Sequence, residues 1–80
     1  MNNTIQPLDV VALTNDLKEY HLPRGMVGAV VECYANGNYE VEFVNTSTGA
    51  TIALVELEFD QIMKLYHLPT SIFSRELVAA

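Results

Sequence analysis

Tryptophan is absent from this chain, cysteine occurs once, and lysine and arginine together number 4 in 80 residues. Each shortage excludes something. A lone Cys33 cannot close an internal disulfide, and it falls short of every zinc site built from repeated Cys or His. It sits in an apolar run and reads as a buried thiol. Its neighbours Glu32 and Tyr34 supply neither the base nor the positive setting that a catalytic thiol needs. The few cations are scattered, whereas nucleic-acid binders use clustered Lys and Arg to displace counterions from phosphates. Binding to DNA, RNA or an anionic membrane is therefore not expected. No apolar run approaches the ~20 residues that cross a bilayer. The start, Met1-Asn2-Asn3-Thr4, lacks the basic and apolar parts of a signal peptide, so the expected location is the cytoplasm.

What is present is enough for one small domain. Half of the residues are hydrophobic, too many for a chain disordered by composition. The net charge of −6 is unevenly spread. Residues 32–60 hold Glu32, Glu40, Glu42, Glu56, Glu58 and Asp60 with no Lys or Arg, and charges elsewhere nearly cancel.

The chain reads as a series of short strands. Residues 1–7 form a polar start expected to be disordered, and Leu8–Leu13 is a valine-rich run fit for a strand. Residues 14–25 contain Pro23 and Gly25 and read as a long loop, with one helical turn at Lys18–Tyr20. Met26–Tyr34 is a β-branched strand in which Gly28 marks a close backbone approach or a bulge. Asn36-Gly37 signals a hairpin, since both residues accept positive φ. In Tyr39–Val44 the residues alternate, with Tyr39, Val41 and Phe43 on one face and Glu40 and Glu42 on the other. After a turn at residues 45–49, Thr51–Leu57 forms the next strand. It divides into Ile52 and Leu54 on one side and Ala53, Val55 and Leu57 on the other. A tight turn at Phe59–Ile62 leads to a closing strand that ends by Tyr66. Five short strands with tight turns suggest a small barrel or curled meander. Val10, Val30, Val41, Phe43 and Leu54 are the expected core.

Several of these segments carry a resemblance. Leu8-Asp9-Val10-Val11-Ala12-Leu13-Thr14 begins it, and Leu22-Pro23-Arg24-Gly25-Met26-Val27-Gly28-Ala29-Val30-Val31-Glu32 continues it. Tyr39-Glu40-Val41-Glu42-Phe43, Ala53-Leu54-Val55 and Asp60-Gln61-Ile62 complete it. Together they resemble a prokaryotic family catalogued as domain of unknown function 4926, over roughly residues 8–65. The resemblance implies an all-β, five-stranded SH3-like barrel at residues 8–66, and it transfers no activity. Residues 67–80 lie outside it. There Leu68, Ile72, Phe73, Leu77 and Val78 have the spacing of one helix face, with Thr70 and Ser71 as capping candidates after Pro69. Such a tail would dock on its own barrel or on a second copy, and the second case would make a homodimer.

No catalytic, cofactor or metal residues stand out. His21 and His67 share the context Tyr-His-Leu-Pro, yet nothing brings them to a common site, and a metal needs three or four ligands. Glu40 and Glu42 on one open strand face lack the asymmetric burial of a glycosidase pair. The serines fit no nucleophile elbow, and the glycines no phosphate loop. Tyr20, Tyr34, Tyr39 and Phe43 could line a peptide groove, but they read more simply as core and rim. The expected function is a non-catalytic protein-binding module for a basic protein. Glu32, Glu40, Glu42, Glu56 and Glu58 would be its partner-binding residues. The neutralising member of a toxin–antitoxin pair is the sharpest form of that reading. An accessory or assembly domain of an enzyme complex is the alternative. A nucleic-acid-binding barrel is a third reading, which the charge opposes.

Overall fold

The structure is a computed structural model that describes residues 4–66. The tail helix expected over residues 68–78 lies outside the described residues. Five strands form: β1 (Val10–Leu13), β2 (Val27–Cys33), β3 (Tyr39–Val44), β4 (Thr51–Leu57) and β5 (Ile62–Leu65). Short 3₁₀ turns at Lys18–Tyr20 and Phe59–Gln61 complete the set. All strand pairs are antiparallel, in one sheet of order β4-β3-β2-β1-β5.

Every strand sends side chains to one apolar cluster: Val11 and Leu13, Val30, Val41 and Phe43, Val55 and Leu57, and Ile62. No second layer covers that face among the described residues, so the sheet must curl to bury it against itself. The strand order and the 3₁₀ turn between β4 and β5 are those of a small SH3-like barrel. The long β1–β2 loop is pinned rather than free. Leu17 and Leu22 form an isolated bridge and are both buried in the core. Ile5, read from sequence as part of a disordered start, packs half-buried on the same cluster.

Three expectations change. Leu54 is 55% exposed and Val10 only half-buried, while Val11, Leu13, Val55 and Leu57 fill their places. The division of β4 into two faces holds, but the register Val41↔Val55 shows that the Val55 face is the inner one. Cys33 is exposed rather than buried. A register shift between Val30 and Glu32 makes Val31 an added residue, and strand parity reverses after it. Cys33 thereby falls on the side of Tyr39, and its exposure comes from its place as the last residue of β2. The Asn36-Gly37 turn also differs. Only Gly37 has positive φ, and Tyr34 and Asn38 close a loop of three intervening residues, the form built on a type I turn with glycine last.

Gly28 is the close approach that the sequence suggests. A Cβ there would lie 2.8 Å from the Glu42 carbonyl oxygen and 2.8 Å from the Phe43 ring. Leu8 is less expected. It has φ 77 in the turn Gln6–Asp9 and is 84% exposed, at a position where type II turns take glycine.

Candidate functional site

The bulge at Val31 decides which face Glu32 joins. Without it, Glu32 would share the parity of Gly28 and Val30 and point into the barrel. With it, Glu32 pairs with Glu40, and Glu40 in turn pairs with Glu56. Three glutamates from three adjacent strands thus stand directly opposite one another on the outer face. Strands lie about 4.8 Å apart, and like charges set directly opposite destabilise a sheet.

The row is held by neutral donors. The Tyr34 hydroxyl donates to Glu40 Oε1 at 2.7 Å. Asn38 and Asn36 donate to Glu56 Oε2 at 2.9 and 3.4 Å. Both asparagines sit in the β2–β3 loop, so the turn that joins the strands also supplies the donors. Tyr34 is pushed up to about 12 by its hydrogen bond to Glu40, by partial burial, and by the negative charges of Glu40, Glu32 and Glu56. A phenol surrounded this way keeps its proton, because a phenolate would add a further negative charge.

Glu42 and Glu58 stand apart from the row. Glu42 pairs with Ala29 and Leu54, one step along the same face, and accepts a 2.6 Å hydrogen bond from Thr51. Glu58 closes a reciprocal capping box with Gln61 at the second 3₁₀ turn, with its backbone N–H donating to Gln61 Oε1 at 2.8 Å. Of the five glutamates expected at a partner site, the fold therefore aligns Glu32, Glu40 and Glu56, sets Glu42 beside them, and uses Glu58 locally. Val31 and Leu54 lie on the Glu42 side of the row and are 44% and 55% exposed. No Lys or Arg lies on β2, β3 or β4. Among the described cations, Lys64 on β5 pairs with Asp9 at 3.2 Å.

The chain belongs to the family described as Domain of unknown function (DUF4926). That family's model matches residues 8–64, which takes in β1 to β4, all but the last residue of β5 and the whole glutamate row. No curated protein and no solved structure matches the chain. Membership of DUF4926 carries no activity with it.

Among the described residues no three His, Cys, Asp or Glu side chains gather to hold a metal. His21 lies exposed in a left-handed conformation at φ 58, and His67 is outside the described residues. The aromatic groove does not form from the four residues considered, because Phe43 is wholly buried in the core and Tyr34 is committed to Glu40. A different cleft of about 420 Å³ opens at the barrel end, lined by Ile5, Tyr39, Phe59, Ile62, Lys64 and Tyr66. No described helix is long and apolar enough to cross a membrane.

The donors Tyr34, Asn36 and Asn38 were not legible as part of the site. Their signal was present only as position: a tyrosine and two asparagines in the loop joining two strands that each carry outward glutamates.

Proposed function

We propose that this protein is a non-catalytic binding module whose outer β2–β3–β4 face takes a cationic segment of a protein partner. The observation that carries this is the directly paired row Glu32–Glu40–Glu56. A row of like charges weakens the free sheet, and a cationic partner relieves that repulsion. Lysine or arginine side chains of the partner would meet the carboxylates, and Val31 and Leu54 would give apolar contact on the Glu42 side of the row. Cytoplasmic action as the neutralising member of a two-protein pair is the fullest form of this reading. It rests on the one-sided charge of residues 32–60, which hold six acidic residues and no Lys or Arg.

Purification of the untagged protein from its native host, with whatever protein accompanies it, supplies the partner for measurement. Association should slow markedly as salt rises, because exposed charges are screened within about 10 Å at 0.1 M. Replacing Glu40 and Glu56 together by lysine should slow it likewise while the far-ultraviolet circular dichroism stays unchanged. A partner whose association ignores both salt and the double substitution rules this reading out.

A further inference from the structure

The barrel-end cleft of about 420 Å³ has aromatic walls. Phe59 stands on the second 3₁₀ turn and Tyr66 just past β5, and they are 71% and 63% exposed. Tyr39, Ile5 and Ile62 add to the apolar lining. Large apolar side chains gathered in a concave place are a common mark of a docking site.

The cation of the lining is already engaged. Lys64 Nζ lies 3.2 Å from Asp9 Oδ2 and 5.3 Å from the centre of the Tyr66 ring, and it donates to the Thr4 carbonyl at 3.4 Å. Its charge is met by a carboxylate and by a ring face. The cleft is therefore suited to an apolar occupant rather than to an anion.

The chain itself carries an occupant of that chemistry. Beyond Tyr66 it continues through residues 67–80, which hold Leu68, Ile72, Phe73, Leu77 and Val78, with Arg75 and Glu76 as their only Lys, Arg, Asp or Glu. The segment starts from a residue of the cleft. Ile62, Lys64 and Tyr66, alternate residues of one extended course, all line it, and the next in that alternation is Leu68. Phe73 is seven residues past Tyr66, a reach of roughly 10 Å along a helix and roughly 23 Å extended. The other end of the chain is a poorer match. Thr4 also lines the cleft, yet residues 1–3 hold one apolar side chain, Met1.

We propose that this cleft is the seat of the chain's own residues 68–73, with Leu68, Ile72 and Phe73 against Tyr39, Phe59 and Tyr66. The short tether from Tyr66 gives the segment an effective concentration on the order of millimolar at its own cleft, which favours it over the same segment of a second copy. The seat lies on the side of Tyr39 and Ile62, whereas the glutamate row is on the outer face. Seating and partner binding therefore stand or fall separately.

Trypsin tests this on the full chain. Arg75 is the only Lys or Arg beyond Lys64, so the rate of cleavage after it reads how often the segment leaves its seat. Phe59→Ser, at an exposed position, and Phe73→Ser should each raise that rate about tenfold, the factor carried by one lost buried apolar side chain. The double variant should fall short of the product of the two, since both remove one contact. Nuclear Overhauser spectra of the wild type give a second readout, in which the Phe59 ring should meet the Ile72 methyl groups within one chain. Should Phe59→Ser not fold, Phe73→Ser and these spectra decide. Cleavage unchanged by both substitutions overturns the proposal. So do Ile72 contacts to Met63 on the other face of β5, or Phe59 contacts to Met1. A Phe59–Ile72 contact seen only between labelled and unlabelled chains overturns it too, since a second copy would then supply the segment.

Discussion

At the scale of single residues, space and charge set sharp limits. Gly28 has an ordinary φ, so its role is room and not backbone freedom. A methyl there meets a main-chain oxygen and an aromatic ring at 2.8 Å. The carbonyl cannot yield without disturbing the β2–β3 ladder. Gly28→Ala should therefore destabilise the fold by about 1–3 kcal/mol, the range for overpacking, read from the denaturant midpoint. Tyr34 offers a spectroscopic check on the glutamate row. Its phenol is raised from 10.0 to about 12, so the native state holds this proton more tightly than the unfolded chain does. The resulting stability is complete below pH 10.0 and is lost as pH rises toward about 12. Titrating tyrosinate absorbance should show one late tyrosine, and Glu40→Gln should move it back toward its ordinary value. Gly28 was legible from sequence because a glycine inside a β-branched strand weakens it unless a bulge or a close backbone contact requires it there. Cys33 and Leu54 were misread for two different reasons. One is the last residue of β2, where sharing the side of Tyr39 does not bring burial. The other lies on a strand with two apolar faces, where only pairing with β3 selects the inner one.

At the scale of elements, most of the chain announced itself. Alternation in Tyr39–Val44 and the positions of Gly37 and Gly49 delimited the β2–β3–β4 meander, and the second 3₁₀ turn fell where expected. The glutamates could be assigned to an outer face, but their alignment could not, since register is a relation between strands and not a property of one. Val31 is the residue on which that alignment turns. Substituting it by threonine keeps the residue count and should leave the fold intact. Deleting it should remove the bulge, since Glu32 then follows Val30 directly, falls opposite Glu40 in an unbroken register and stays on the outer face. The deletion variant should therefore keep the cooperative unfolding transition that Val31→Thr retains, as followed by circular dichroism in urea; loss of that transition would show that the sheet needs the bend of the bulge itself.

At the scale of the whole molecule, the two ends of the described chain are joined along β1 and by the Lys64–Asp9 ion pair beside it. β1 pairs with β2 on one side and β5 on the other, from Val10↔Leu65 to Leu13↔Ile62. The rest of the sheet is a run of neighbours joined by short turns. This asymmetry has a consequence in time. Contacts close in sequence form before distant ones, because closing a long loop is entropically unfavourable until the contacts it enables exist. The meander should therefore be structured in the folding transition state, and the β1–β5 seam should zip afterwards. Val41→Ala, within the meander, should chiefly slow refolding. Ile62→Val, on the seam, should chiefly hasten unfolding and leave the refolding rate nearly unchanged. Stopped-flow chevrons of the two variants would separate these limbs. The reverse pattern would mean that the barrel closes first and fills in its hairpins later. On the expected order, the seam between the first and last strands governs how long a folded molecule stays folded, and the meander governs how quickly it gets there.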